Sequence, residues 1–202
     1  QSNLARMYAK GLGVKKDENL AMEWWSKAAA QNHVGAMRNI GVMYYNGYGV
    51  KVDFEKAVHW FRKAADQGHA ASQFALGWAY AQGKGVPQDN GKAIEWYQKA
   101  AGQGQEDAQY YLGLAYQNGT GIVVDDAQAI EWFKKSAAQG FEDAQAALGT
   151  AYFTGRGIAK DDVLAYAWFN LAASKGNVAA ATGRDFLKRT LQSSALTEAQ
   201  RI

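Results

Sequence analysis

The sequence predicts an all-α fold, a right-handed α/α superhelical solenoid of 36-residue helix-turn-helix units, and three observations predict it. Paired glycines recur at that interval without a slip: Gly11, Gly47, Gly83, Gly119 and Gly155, each followed two places on by Gly13, Gly49, Gly85, Gly121 and Gly157. Three other residue types keep the same step, in Tyr8, Tyr44, Tyr80, Tyr116 and Tyr152, in Asp17, Asp53, Asp89, Asp125 and Asp161, and in Trp24, Trp60, Trp96, Trp132 and Trp168. The remaining slots are filled by Gly41, Gly77, Gly113 and Gly149, by Gly68, Gly104, Gly140 and Gly176, and by the aromatic series Trp25, Phe61, Tyr97, Phe133 and Phe169. Of the 7 tryptophans only Trp78 is off-pattern.

The expected organisation is one domain over 1–202: a partial repeat at 1–32, full repeats at 33–68, 69–104, 105–140 and 141–176, and capping helices at 177–202. In the partial unit Leu4 already stands in the slot of Ile40, so the chain begins inside a helix. Gln1-Ser2-Asn3 reads as the tail of a protease site left by an expression tag, which points to trimming from a longer precursor. In the first full unit a helix is expected over Ala36 to Asn46, with Ile40, Gly41 and Tyr44 on one face. Gly47 ends it in the left-handed conformation, which only glycine adopts cheaply. Asp53 stands where an N-cap should, and a second helix runs to about Gln67 with Ala57, Trp60, Phe61, Ala64 and Ala65 as its apolar stripe; Gly68 closes it. Helices this short are marginal alone, so each must bury its stripe on a neighbour. Gly41 and the small alanines leave room for close helix approach, and Tyr44 and Trp60 are expected to fill the space between. After Asn177 the pattern lapses, with Arg184 and Asp185 where Leu and Gly would fall. One polar-backed helix over about Val178 to Leu191 and a short one begun by Thr197 are expected to cap the array.

Composition excludes several functions. The 22 Lys+Arg against 19 Asp+Glu leave a net charge of +3, far from the basic excess of a phosphate-backbone binder, so no nucleic-acid partner is expected. With 0 Cys there is no thiolate metal site or cysteine nucleophile. No apolar run approaches the roughly 18 residues of a spanning helix, so no membrane insertion is expected. The Gly-x-Gly turns are not a dinucleotide fingerprint, because Lys16, Val52, Gln88, Val124 and Lys160 stand where its third glycine belongs. His33, His59 and His69 form no ligand cluster and read as surface or loop side chains. Asp125-Asp126 and Asp161-Asp162 read as caps with a first-turn acid rather than a catalytic pair. Asn118-Gly-Thr120 is a formal glycosylation sequon in a repeat turn. No catalytic constellation, cofactor site or metal site is identified.

The string Ala-x-x-x-Leu-Gly-x-x-Tyr-x-x-Gly-x-Gly-Val, followed by Asp, Ala, Trp and Lys-Ala-Ala, resembles the Sel1-like repeat, a relative of the tetratricopeptide repeat. It is clearest over Ser72 to Gly104 and Ala108 to Gly140 and covers about residues 4 to 176. Departures are small: Ser72 for Ala, Asn32 for the closing glycine, and Leu171 for the Lys of Lys27, Lys63, Lys99 and Lys135. The resemblance implies a concave groove lined by the first helix of each unit.

Positions that vary between copies on one face are free to specify a ligand. At 100° per residue, the slots of Arg38, Val42 and Tyr45 lie opposite the packed Ile40, Gly41 and Tyr44. Read across the copies, this face gives the expected partner-binding residues Arg6, Arg38, Val42, Tyr45, Phe74, Trp78, Tyr110, Leu114 and Gln117. Its middle is aromatic and its beginning cationic, and Trp, Tyr and Arg are enriched at binding hot spots; packing against the adjacent repeat is the alternative role for such rings. The expectation is a non-enzymatic interaction module, an adaptor or scaffold, taking a peptide or protein segment with apolar anchors and an acidic group near Arg6 and Arg38. The resemblance also implies two alternatives, an inhibitor or immunity protein against a partner enzyme and, less favoured without Cys, a cell-wall-directed hydrolase. It further implies a bacterial setting; the compartment is periplasmic or secreted if a leader was removed and cytoplasmic otherwise.

Overall fold

The structure, a computed structural model, describes residues 1–191; the short helix expected from Thr197 lies outside the described residues. Among the described residues there are eleven helices and no strand: α1 (Ser2–Lys10), α2 (Glu18–Ala30), α3 (Val34–Asn46), α4 (Phe54–Ala65), α5 (Ala70–Gln82), α6 (Asn90–Gly102), α7 (Glu106–Asn118), α8 (Asp126–Ala138), α9 (Glu142–Thr154), α10 (Asp162–Ser174) and α11 (Val178–Thr190). They fall into two compact units, Gln1–Gln103 with α1 to α6 and a second beginning at Gly104 with α7 to α11. Within each unit a first helix packs on the second helix of its own repeat and on the second helix before it, as α3 does on α4 and α2, and α9 on α10 and α8.

The turns explain the unbroken period. Gly47, Gly83, Gly119 and Gly155 take φ of 75°, 65°, 71° and 77° at the C-caps of the first helices. The chain then returns so that the amide of each periodic Asp donates to the carbonyl of the periodic Tyr, at 2.9 Å for Asp53 to Tyr44 and 3.0 Å for Asp89 to Tyr80. The Asp side chain meanwhile accepts a first-turn amide of the next helix, as Asp53 does from Lys56 (2.9 Å). Held by that amide and by the Lys56 side chain, the Asp53 carboxyl stays below the usual carboxylate range. One slot therefore closes both ends of the turn. The second glycine has a different task. A Cβ on Gly49 would lie 2.7 Å from Cβ of Glu18, one on Gly157 2.5 Å from the Asp126 carbonyl, and one on Gly85 would collide with the Phe54 carbonyl. Each of these glycines thus lets its turn rest on the start of the preceding repeat's second helix.

First helices begin two residues earlier than expected, at Val34 rather than Ala36, because His33 is an N-cap: its Nδ1 accepts the Ala36 amide at 3.1 Å. His69 does the same for Ser72 (3.2 Å), and Gln105 and Asn177 fill the slot in later copies. Two of the three histidines, His33 and His69, are therefore capping groups, and each needs an unprotonated ring nitrogen to accept, whereas His59 is an exposed side chain on α4.

The core also departs from expectation. The ring beneath Gly41 is Phe61, since a Cβ there would lie 2.6 Å from it; Gly77 meets Tyr97 (2.7 Å), Gly113 meets Phe133 (2.6 Å) and Gly149 meets Phe169 (2.5 Å) in the same way. Trp60 does not fill that space. It is half-buried, with the Lys63 ammonium 4.8 Å from its ring centre, and Lys27, Lys99 and Lys135 cover Trp24, Trp96 and Trp132 at 4.5, 4.0 and 3.9 Å. The Trp slot is thus at the core's edge in most copies, with Trp96 buried, and the Lys of Lys-Ala-Ala is its cation–π partner. The two helices of a repeat are also tied by glutamines: Gln103 Nε2 donates to Gln73 Oε1 (2.7 Å) in the first unit and Gln139 Nε2 to Gln109 Oε1 (2.8 Å) in the second.

Candidate functional site

Successive first helices meet above the aromatic slot, and the variable positions decide what happens there. In the first unit Tyr45, Phe74 and Trp78 come together with Ala75 over Phe61, enclosing about 140 Å³. All three are half-buried rather than freely exposed. Phe74 stacks on Tyr97 (5.7 Å between ring centres), and Tyr45 lies edge-on to Phe54 (5.2 Å). The Trp78 indole donates to the Tyr45 hydroxyl at 3.2 Å. Lys84 closes the side, its ammonium 3.3 Å from that hydroxyl and 5.3 Å from the centres of both the Tyr45 and Phe54 rings. The packing weighed as the alternative role for these rings is present, and the same rings also line the pocket.

Stepping back one period from Tyr45, Phe61, Ala75 and Trp78 gives Ala9, Trp25, Asn39 and Val42, and these line a pocket of about 340 Å³. Here slot 45 holds alanine, and the space a tyrosine fills one repeat on is open. Its rim is polar, formed by Lys10, Lys16, Glu18, Asn39 and Tyr48. Stepping forward three periods gives Phe153, Phe169, Gly183 and Phe186 in the second unit, which with Thr150 and Thr182 line about 400 Å³ of mostly apolar space. Thr182 stands where Phe74 stands in the first unit, and Phe186 is 54% exposed.

The remaining expected residues are dispersed. Arg6 is exposed on α1 and lines no pocket described above. Arg38, half-buried, donates to Asn39 (3.3 Å) and lies near His69, whose imidazole is pushed below its ordinary value first by burial and then by that guanidinium. In the second unit Tyr110 packs among Tyr111, Phe133 and Phe141, with ring centres 5.3, 5.8 and 5.2 Å away. Burial, with Asp143 and Tyr111 beside it, pushes its hydroxyl up to about 12, so it keeps its proton at neutral pH. Leu114 is half-buried against the same apolar cluster. Gln117 offers its backbone carbonyl to Arg156.

Sequence reasoning missed the residue between the paired glycines. Tyr48 rims the wide pocket, Lys84 covers Tyr45, and Arg156 reaches Asp126 (2.8 Å) and the Gln117 carbonyl. The signal was available: these are varying side chains, Leu12, Tyr48, Lys84, Thr120 and Arg156, inside a constant Gly-x-Gly frame. Among the described residues no group of three His, Cys, Asp or Glu side chains can hold a metal ion, and no helix is long and apolar enough to cross a membrane.

The Sel1-repeat family model matches residues 1–33, 34–69, 70–105, 106–141 and 142–177, each beginning within a residue of the first helix of a pair and ending three or four residues after the second. The chain belongs to the Sel1-repeat family. A Sel1 repeat protein from Oxalobacter formigenes is 34% identical over 89% of this chain and 71% of its own, with a TM-score of 0.83. The protective antigen c5321 of uropathogenic Escherichia coli is 27% identical over 98% of this chain and 58% of its own, with a TM-score of 0.54. The immunity protein PA5088 of Pseudomonas aeruginosa is 24% identical over 89% of this chain and 65% of its own, with a TM-score of 0.58, a likeness of fold alone. No curated protein matches the chain. Sel1 repeats generally mediate contacts between proteins and typically act as non-catalytic scaffolds.

Proposed function

We propose that this protein is a non-enzymatic interaction module that binds a peptide or protein segment on the variable face of its first helices. The observation that carries the reading is the pocket of Tyr45, Phe74 and Trp78: three residues that vary between copies, gathered over a floor that is aromatic in every copy. Half-buried aromatic side chains beside a cation are suited to anchoring an apolar side chain, because they present large area at little cost in side-chain entropy. In the first unit Arg6 and Arg38 add a cationic margin to this face, and in the second unit Tyr110, Leu114 and Gln117 occupy the corresponding face.

The test is selection of binders from a phage-displayed peptide library, followed by titration of the selected peptides. Trp78→Ala is expected to weaken binding by roughly ten-fold or more, the loss of one hot-spot ring, while lowering stability by only about 1 kcal/mol. Peptides that bind the variant as tightly as the parent would remove Trp78 from the surface. Inhibition of a partner enzyme is the same surface with a different occupant; capture from the source organism's lysate separates them, with several assembly partners expected of an adaptor and one tight enzyme of an inhibitor.

A further inference from the structure

The wide pocket over Trp25 differs from its neighbour in more than size. Its floor, formed by Ala9, Trp25, Val42 and Met43, is apolar, and its rim carries two cations and one carboxylate. Lys16 is already paired with Glu18 at 2.8 Å. Lys10, exposed in the last turn of α1, makes no ion pair among the described residues and is the charge left for a ligand. Trp25 is only 6% exposed, and its Nε1–H has no acceptor among the described residues. An apolar well of about 340 Å³ beside an uncompensated ammonium suits an apolar side chain accompanied by an anion.

The same compact unit holds a second pocket one repeat further on, over Phe61, with an uncharged aromatic lining apart from Lys84 at its side. A ligand spanning both must continue past the first, so its anion belongs to an internal residue rather than to a chain end. Resting on the peptide-binding reading above, we infer that the pocket over Trp25 is the subsite that sets sequence preference: it takes an apolar side chain of the partner whose neighbouring residue is Asp or Glu, paired with Lys10.

The experiment follows the indole Nε1–H resonances of the full chain by NMR, with Trp25 and Trp78 assigned through Trp25→Phe and Trp78→Phe. The probes are N-acetyl-Asp-Phe-amide, N-acetyl-Asn-Phe-amide and N-acetyl-Phe with a free carboxylate. The acidic dipeptide is expected to shift Trp25 saturably, and roughly ten-fold more tightly than the Asn dipeptide. Lys10→Gln is expected to remove that difference, and Ala9→Tyr, which installs the side chain that narrows the next pocket, to abolish the shift without altering the melting temperature. Equal shifts from the Asp and Asn dipeptides, or a Trp25 shift that survives Ala9→Tyr, overturn the inference. Tighter binding of free N-acetyl-Phe overturns its assignment to an internal residue. A response at Trp78 with silence at Trp25 sinks the inference and leaves the peptide-binding reading standing; silence at both sinks the two together.

Discussion

The junctions over Trp25 and Phe61, one repeat apart in the first unit, share a frame and differ in what they enclose. Both lie between first helices tied to their second helices by an Asp amide on a Tyr carbonyl, and both are bordered by a Gly-x-Gly turn seated on the preceding repeat, Gly49 against Glu18 and Gly85 against Phe54. At slot 45, however, Ala9 leaves about 340 Å³ open where Tyr45 leaves about 140 Å³. Even the floor varies within limits: Gly41 sits on Phe61, whereas Ala5 stands in the glycine slot of the repeat that carries Trp25. Periodic residues hold helices at a fixed separation, and a handful of non-periodic ones decide whether that separation is filled.

The strongest way to break the comparison is to remove a floor. Phe61→Ala is expected to cost about 3 to 5 kcal/mol, since a buried aromatic wedged beneath Gly41 would leave a cavity the backbone cannot close. Trp60→Ala, one residue away, is expected to cost about 1 to 2 kcal/mol, because its half-exposed ring loses a lysine contact rather than a core. Thermal melting of the pair checks the order; equal losses would return the Trp slot to the core.

Next comes the seating of one repeat on another. Gly85→Ala is expected to cost about 3 kcal/mol, combining left-handed strain with a collision against the Phe54 carbonyl. Gly68→Ala meets no atom within 4 Å and bears only the conformational strain of φ +84°, about 1 kcal/mol. Denaturant midpoints should separate the two.

The comparison sharpens when the slot-45 residues are exchanged. Tyr45→Ala should open the narrow junction toward the size of its neighbour and cost about 1 to 2 kcal/mol, losing the acceptor of the Trp78 indole. Ala9→Tyr should narrow the wide one at a cost below about 0.5 kcal/mol. Crystal structures of the two variants would measure the volumes directly.

The smallest expected effect is a pH dependence. His69 caps α5, the helix that brings Phe74 and Trp78 to the narrow junction, and its pKa in the fold lies below the ordinary 6.5. A group protonated more readily when unfolded stabilises the fold at pH above its unfolded value, and that contribution is lost as pH falls through 6.5 toward the folded pKa. His69→Gln, the cap type found at Gln105, should flatten the melting temperature between pH 7 and pH 5, and an unchanged slope would show that the imidazole is not the titrating group.

The sequence made most of the scaffold legible. An uninterrupted period, glycine at each helix end and Asp ahead of the next helix located the helix pairs to within about two residues, because each of those residues answers a local backbone requirement. The N-cap role of His33 and His69 was hidden, since an unprotonated imidazole is an uncommon cap and later copies use Gln105 and Asn177. Of two adjacent aromatic slots in the expected apolar stripe, Trp60 and Phe61, the larger residue drew the expectation of filling the space between helices, yet the smaller one meets the glycine; helical phase at that resolution depends on the partner helix, which sequence does not display. The face of Tyr45, Phe74 and Trp78 was found by its variation among copies. Pocket size was not, because it depends on two residues a period apart, such as Ala9 and Val42, acting together.

The double closure of the turns at Gly49, Gly85 and Gly157 has a consequence for how such a chain changes length. With the Tyr carbonyl holding the Asp amide at one end and a glycine lodged against the preceding repeat at the other, an inserted or deleted residue has nowhere to go without breaking one of the two anchors. Growth and shrinkage are therefore quantised: recombination between copies can add or drop a whole 36-residue module in frame, leaving the joints intact and shuffling only which socket neighbours which.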